Sequence, residues 1–164
     1  MTPSPARGSL LYALALAFAL AGAAVALGTG LMVVASVAAR ALVSAPIPGD
    51  VELTQALIAL AISLGLPWCQ LHGGNIIVDF FTQKLSHRAN RTLDGFGALL
   101  VAAMCALLAW RTAAGAFAVR DAGETSMILS LPMWWAYASL APGLALSALI
   151  ALLQGVRHLA GHKA

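Results

Sequence analysis

Every residue between Arg7 and Arg40 is uncharged, and this long apolar run limits what the chain can fold into more than any other feature. A helix from about Leu10 to Ala39 is long enough to cross the roughly 30 Å hydrocarbon core of a bilayer. A cleavable signal peptide has a much shorter apolar stretch, which ends in small residues before a polar mature chain. We therefore expect this segment to be a retained first transmembrane helix.

The composition extends this expectation to the whole chain. Hydrophobic residues make up 61% and charged residues 9%, whereas roughly a quarter of the residues of a soluble domain are charged. The apolar residues are grouped into runs of spanning length, which predict helices at about 10–39, 53–71, 93–119 and 131–154. The predicted fold class is an all-α membrane protein with four transmembrane helices, in a single membrane domain covering residues 1–164.

The basic residues indicate an orientation. One side of the four-span topology carries six of the nine Lys and Arg residues, namely Arg7, Lys84, Arg88, Arg91, Arg157 and Lys163. The positive-inside rule then predicts that both termini are cytoplasmic. Basic residues on that side would lie next to anionic lipid, and no basic run is interleaved with aromatic residues as in a nucleic-acid-binding surface. We expect membrane lipids, and no nucleic acid, among the partners.

An aromatic cluster marks the start of the fourth predicted span. Trp134, Trp135 and Tyr137 follow Pro132, a residue that suits the first turn of a helix. Trp and Tyr are enriched where transmembrane helices meet the headgroup layer. We predict that these three aromatic side chains anchor the helix at the outer membrane interface.

The segment between the second and third spans has two faces when it is placed on a helix over residues 75–86. One face is apolar and the other polar; the apolar one holds Ile76, Ile77, Val78, Phe80, Phe81 and Leu85, with Lys84 beside them. This pattern predicts a short amphipathic helix in the cytoplasmic interface, with the Lys84 ammonium reaching the headgroups. The helix is either a connector on the membrane surface or a contact surface for another subunit.

The positions of the charged residues do not indicate a catalytic site. All six carboxylates lie in predicted loops or at span ends, so no acid is placed to carry protons or a coupling ion across the membrane. Arg111 is the exceptional charge, about two turns before the outer end of the third span, where it can snorkel outward or meet a carboxylate. Two cysteines without clustered His or carboxylate residues make no metal site. We expect no cofactor and no enzyme activity.

Small residues recur every four positions on three of the predicted helices. They are Gly143, Ser147, Ala151 and Gly155; Ala98, Ala102 and Ala106; and Gly22, Ala26 and Gly30. Such stripes allow close contact between transmembrane helices.

The order of several short motifs resembles a known family. The motifs are Arg40 at the end of the first span; Asp50 and Glu52; Asn75 to Asp79, followed by Leu85; and Ser126, Leu131 to Trp134, Tyr137 and Pro142-Gly143. Together with the four spans, they make the chain similar to the small membrane subunit of tripartite ATP-independent periplasmic (TRAP) transporters, the DctQ-like family. The chain differs in having Asn75 where the family often has histidine, and Ile47-Pro48-Gly49 where many members have tryptophan.

The resemblance implies a role without catalysis. The subunit would be a scaffold in the bacterial inner membrane for a large multi-span permease, which imports an organic acid delivered by a periplasmic substrate-binding protein. We predict that partner contacts are made by Glu52, Asp79, Phe80, Phe81, Lys84, Arg111, Asp121 and Glu124.

Two other functions remain open at this point. The first is a membrane enzyme acting on a lipophilic substrate, with Arg111, His72 and Tyr137 converging in one pocket. The second is a small self-assembling channel or exporter.

Overall fold

The structure is a computed structural model that describes residues 10–44, 47–72 and 87–160. It contains four long helices: α1 (Leu10–Val43), α2 (Asp50–Leu71), α3 (His87–Asp121) and α4 (Trp134–Leu159). All four are long and apolar enough to cross a membrane. No strand occurs within the described ranges, where the one β-bridge is isolated. The predicted fold class, an all-α protein with four membrane-spanning helices, is confirmed.

The fourth helix starts later than the sequence predicts. It begins at Trp134 rather than Leu131, and Pro132 lies outside it, in an isolated antiparallel bridge with Thr125. Backbone hydrogen bonds join the same two stretches, with the N–H of Ser126 donating to the carbonyl of Leu131 at 2.8 Å. Residues 122–133 therefore form a short hairpin loop, and the expectation that Pro132 occupies the first turn of the helix is wrong.

The helices pack in the order α1, α2, α4, α3, so that the last helix in the chain lies between α2 and α3. Neither α1 nor α2 has a packed interface with α3. The C-terminal ends of α1 and α3 and the N-terminal ends of α2 and α4 lie together; we call this the hairpin end, and the other the opposite end. The arrangement leaves α1 and α3 at the two edges.

Small residues at intervals of seven line the buried faces of the two edge helices. On α1 these are Ala15, Gly22, Thr29 and Ser36, and on α3 they include Gly95, Ala102 and Ala116. A period of seven keeps one face of a helix against a neighbour that crosses it at a shallow left-handed angle. The sequence suggests buried small residues at intervals of four on these helices, but Ala26, Gly30 and Ala106 are exposed.

The central helix α4 buries the stripe that the sequence predicts. Gly143, Ser147, Ala151 and Gly155 are all buried. Gly155 lies close to Leu99 and to the carbonyl oxygen of Gly95 on α3. On the α2 side, Ile150 packs with Leu71 and with Ala15 of α1. Helix α4 thus contacts both neighbours through residues small enough for close approach.

Candidate partner-binding surfaces

Glu52 fastens the hairpin loop to the start of α2. One carboxylate oxygen accepts a hydrogen bond from the N–H of Ile128 at 3.0 Å, and the other accepts one from the N–H of Leu129 at 3.4 Å. Gly49, whose φ is 75°, packs directly against the Leu129 side chain, where a Cβ would overlap it. Glycine suits both this left-handed conformation and this contact. Glu52 therefore shapes the surface that a partner would meet at the hairpin end.

The turn between α1 and α2 is held by a second carboxylate. The fully buried Ser36 donates its hydroxyl to Asp50 Oδ2 and accepts a hydrogen bond from the N–H of Ile47 at 3.4 Å. Arg40 Nη2 lies 3.7 Å from the same carboxylate oxygen. Because the Arg40 side chain is well exposed, the ion pair adds little to stability. The sequence drew attention to Arg40 and Asp50, but nothing in it singled out Ser36 as their partner.

The tip of the hairpin loop is apolar and exposed. Met127 is 98% exposed and Ile128 is 61% exposed, although backbone hydrogen bonds hold the loop in shape on both sides of them. No residue from Thr125 to Met133 is charged. The sequence does not reveal this apolar tip, because the stretch merges with the apolar run that follows it.

Two predicted contact residues lie near this tip, Asp121 at the end of α3 and Glu124 within the loop. Asp121 and Glu124 are both exposed, and within the described ranges neither carboxylate has a hydrogen bond or an ion pair. The backbone carbonyl of Glu124 accepts the N–H of Met133 at 3.1 Å, so the position is fixed while its carboxylate stays accessible.

The three predicted anchor residues have different surroundings. Trp134 is half-buried, and the Arg120 guanidinium lies 5.5 Å from its ring centroid in a cation–π contact. Trp135 is 66% exposed and Tyr137 39% exposed. Tyr137 also packs on Gly115 of α3. Two of the aromatic side chains are thus available to lipid, while Trp134 joins α3 to α4.

Polar contacts at the opposite end join α2 to α4. The amides of Gln70 and Gln154 pair through Gln70 Nε2 and Gln154 Oε1 at 2.8 Å. Gln154 Nε2 also donates to the backbone carbonyl of Gln70 at 2.9 Å. The last carbonyls of a helix lack the N–H groups of a following turn, and the Gln154 side chain supplies a donor to one of them. Nothing in the sequence indicates this pair, whose members are 84 positions apart.

An aromatic cluster lies at the same opposite end. The ring centroids of Trp68 and His72 are 4.1 Å apart, and those of Tyr12 and Trp68 are 5.4 Å apart. His72 Nδ1 lies 3.1 Å from the carbonyl oxygen of Trp68, one turn earlier. His72 is therefore packed against aromatic rings at the end of α2.

The residues of the enzyme alternative do not converge. Tyr137 lies near the hairpin end, whereas His72 follows the end of α2 that contacts Gln154, about 25 Å further along α4 at 1.5 Å per residue. Arg111 is on α3, one turn before the residue that packs on Tyr137. Among the residues described, no group of three His, Cys, Asp or Glu side chains could hold a metal ion.

Arg111 lies on the exposed face of α3. Its side chain is exposed, and in the part of the chain that the structure describes it has no hydrogen bond or ion pair. The neighbouring hydroxyl of Thr112 donates to the carbonyl of Leu108 at 2.9 Å.

The remaining predicted contact residues, Asp79, Phe80, Phe81 and Lys84, lie outside the described residues. The same is true of the predicted interfacial helix at 75–86.

The four long apolar helices define a multi-pass helical membrane protein. A family model described as "Tripartite ATP-independent periplasmic transporters, DctQ component" matches residues 29–161. The chain belongs to this family of small TRAP transporter permease subunits. Neither the curated proteins nor the solved structures that were searched gave a match. The motifs that suggested the family span the matched region, from Arg40 to Pro142-Gly143.

Proposed function

We propose that the chain is the accessory subunit of a TRAP-type secondary transporter in the bacterial inner membrane. It would act as a scaffold for a large multi-span permease that imports an organic acid, and a periplasmic substrate-binding protein would deliver that acid. The observation that carries the proposal is the family match over residues 29–161. A DctQ component is one part of a tripartite transporter, so it works with other proteins.

The exposed faces of the edge helices support a scaffold role. Only 11% of the most apolar stretch of α1 is buried within the chain. Large side chains cover its outward face, including Leu20, Leu27, Leu31 and Val34, each more than 60% exposed. In a bilayer such a face is compatible with lipid or with another apolar helix, and association there depends on packing rather than on burial from water. A larger membrane subunit can therefore dock without disturbing the internal contacts.

The placement of the acids supports a subunit that does not carry the coupling ion itself. In the described ranges, every carboxylate lies in the hairpin loop or within about two turns of a helix end at 3.6 residues per turn. Ion and proton pathways through membranes use ionisable groups inside the helix assembly. The sodium or proton site of the transporter would then belong to the permease.

The orientation follows from the basic residues. If both termini are cytoplasmic, the hairpin end faces the periplasm, and it carries Asp121, Glu124 and the apolar loop tip. These groups are then accessible to a substrate-binding protein.

Co-purification and transport measured together test the proposal. The tagged chain would be expressed with the large permease of its transporter, extracted in mild detergent, and reconstituted with the substrate-binding protein. We expect the permease to co-purify, and uptake to be lost when this chain is omitted. A chain that purifies alone, together with a permease that imports normally without it, would contradict the proposal. Uptake by vesicles that contain only this chain would favour a self-sufficient channel or exporter.

A further inference from the structure

The outward face of α3 is a stripe of large apolar side chains that ends in a positive charge. Spacings of three and four residues place Leu93, Phe96, Leu100, Met104 and Leu107 on the same side of the helix as Arg111. The five apolar residues are each 50% to 60% exposed. The buried residues Gly95, Ala102 and Ala116 lie on the other side, against α4. Arg111 is therefore directed away from the rest of the chain.

Arg111 is well inside the span. It lies nine residues before Arg120, which contacts Trp134 at the hairpin end, and this corresponds to about 13 Å along the helix axis at 1.5 Å per residue. A guanidinium in the hydrocarbon region is strongly unfavourable unless it reaches the interface, water or a partner.

Snorkelling is an inefficient solution for this particular arginine. The nearer end of the span is the C-terminal end of α3, whereas Cα–Cβ bonds in a helix tilt toward its N-terminus. The Arg111 side chain would have to bend back against that tilt to reach the nearer headgroups. The tilt opposes snorkelling whichever side of the membrane the hairpin end faces.

Within residues 10–44, 47–72 and 87–160, no carboxylate lies at this depth. The carboxylates of these ranges lie at the helix ends and in the hairpin loop. A second copy in the same orientation would present its carboxylates at the same levels, so a homodimer would not neutralise Arg111. Charge complementarity therefore points to an acidic residue within a helix of a different protein.

We propose that the α3 stripe is the docking face for a membrane-spanning helix of the large permease, and that an Asp or Glu in this helix pairs with Arg111. This inference rests on the proposed function. The apolar residues of the stripe would supply the packing, and the ion pair would fix the depth and rotation of the partner helix. Removing one member of an ion pair from an interface that excludes water is costly because the other charge is left unpaired, and guanidinium suits carboxylate because it can donate two parallel hydrogen bonds.

The test compares Arg111→Gln, Arg111→Lys and the unchanged chain, each co-expressed with the permease and purified through a tag on this chain. Arg111→Gln should lower the amount of bound permease by about tenfold or more, and Arg111→Lys should restore part of it. Arg120→Gln, which removes a charge from the same helix near its end, is the matched control and should retain the permease. The isolated Arg111→Gln chain should unfold at the same temperature as the unchanged chain, because Arg111 has no partner within the described residues.

A second measurement identifies the acid. Each Asp and Glu within the permease spans would be changed in turn to Asn or Gln. For the acid that pairs with Arg111, this change should cause no further loss of bound permease when it is combined with Arg111→Gln, as expected for two members of one pair. If the unchanged chain fails to bind the permease, the proposed function is wrong. If the unchanged chain and Arg111→Gln bind it equally, only the present inference is wrong. A loss that anionic lipid fully reverses would assign Arg111 to a lipid phosphate and would also overturn it.

Discussion

The backbone of α4 at Gly143 lies directly on the carbonyl oxygen of Ser63 in α2, where any Cβ would overlap it. Pro67 has no N–H to donate to this carbonyl, so the intrahelical hydrogen bond of Ser63 is absent. The Ser63 hydroxyl in turn donates to the carbonyl of Leu140 at 2.7 Å. A proline on one helix and a glycine on the other thus define the closest contact between α2 and α4.

We expect Gly143→Ala to push these two helices apart and to lower stability by about 1–3 kcal/mol, as is usual for overpacking. Thermal unfolding of the purified chain in detergent measures the change. Gly30→Ala is the matched control, because a Cβ at that position meets nothing within 4 Å. Equal melting temperatures for the two variants would show that the contact at Ser63 is not tight.

Glu52→Gln should loosen the hairpin loop. The substitution keeps the size of the side chain, but it replaces one of the two accepting oxygens with a donor that faces a backbone N–H. Hydrogen exchange at the amides of Ile128 and Leu129 should become faster by about threefold to tenfold. Glu124→Gln is the control, because the Glu124 carboxylate has no partner in the described ranges, and it should leave both exchange rates unchanged. A similar effect in both variants would show that Glu52 does not hold the loop in place.

A double-mutant cycle tests the link at the opposite end. Gln154→Leu removes the hydrogen bonds that its amide makes to the side chain and to the backbone carbonyl of Gln70, so it should cost about 0.5–1.5 kcal/mol of unfolding free energy. Gln70→Leu should cost a similar amount. The double variant should cost clearly less than the sum of the two, because the side chains are hydrogen-bonded to each other. Simple additivity would mean that the two amides do not interact.

The predicted orientation can be tested by thiol labelling. In a background where Cys69 and Cys105 are replaced by alanine, Glu124→Cys should react with an impermeant reagent added to the periplasmic side of intact cells. Lys84→Cys should react only after the membrane is opened. The reverse pattern would place the hairpin end in the cytoplasm and would overturn the assignment based on basic residues.

The number and type of the helices could be predicted because membrane spans depend on the length and hydrophobicity of each segment alone. The predicted start of α4 was wrong because Leu131 and Met133 are as apolar as residues of a transmembrane helix. The bridge between Thr125 and Pro132 places both of them in the hairpin loop instead. Hydropathy contains no information about that bridge.

The contacts between helices were much harder to predict. The buried stripe of α4 was found because every fourth residue is small, but the chain is so rich in alanine and glycine that similar stripes on α1 and α3 were misleading. The partners of Glu52 and Gln70 lie 76 to 84 positions away. Such pairs depend on which helices are neighbours, and a single sequence does not reveal this.

The position of α4 between α2 and α3 also constrains how the protein is made. Helices α1 and α2 can pair in the bilayer as soon as both have left the translocon, since they follow each other and share an interface. Helix α3 has no packed neighbour among the helices made before it. Its packed interface forms only with α4, so the insertion of α4 joins α3 to the pair formed by α1 and α2 in a single step.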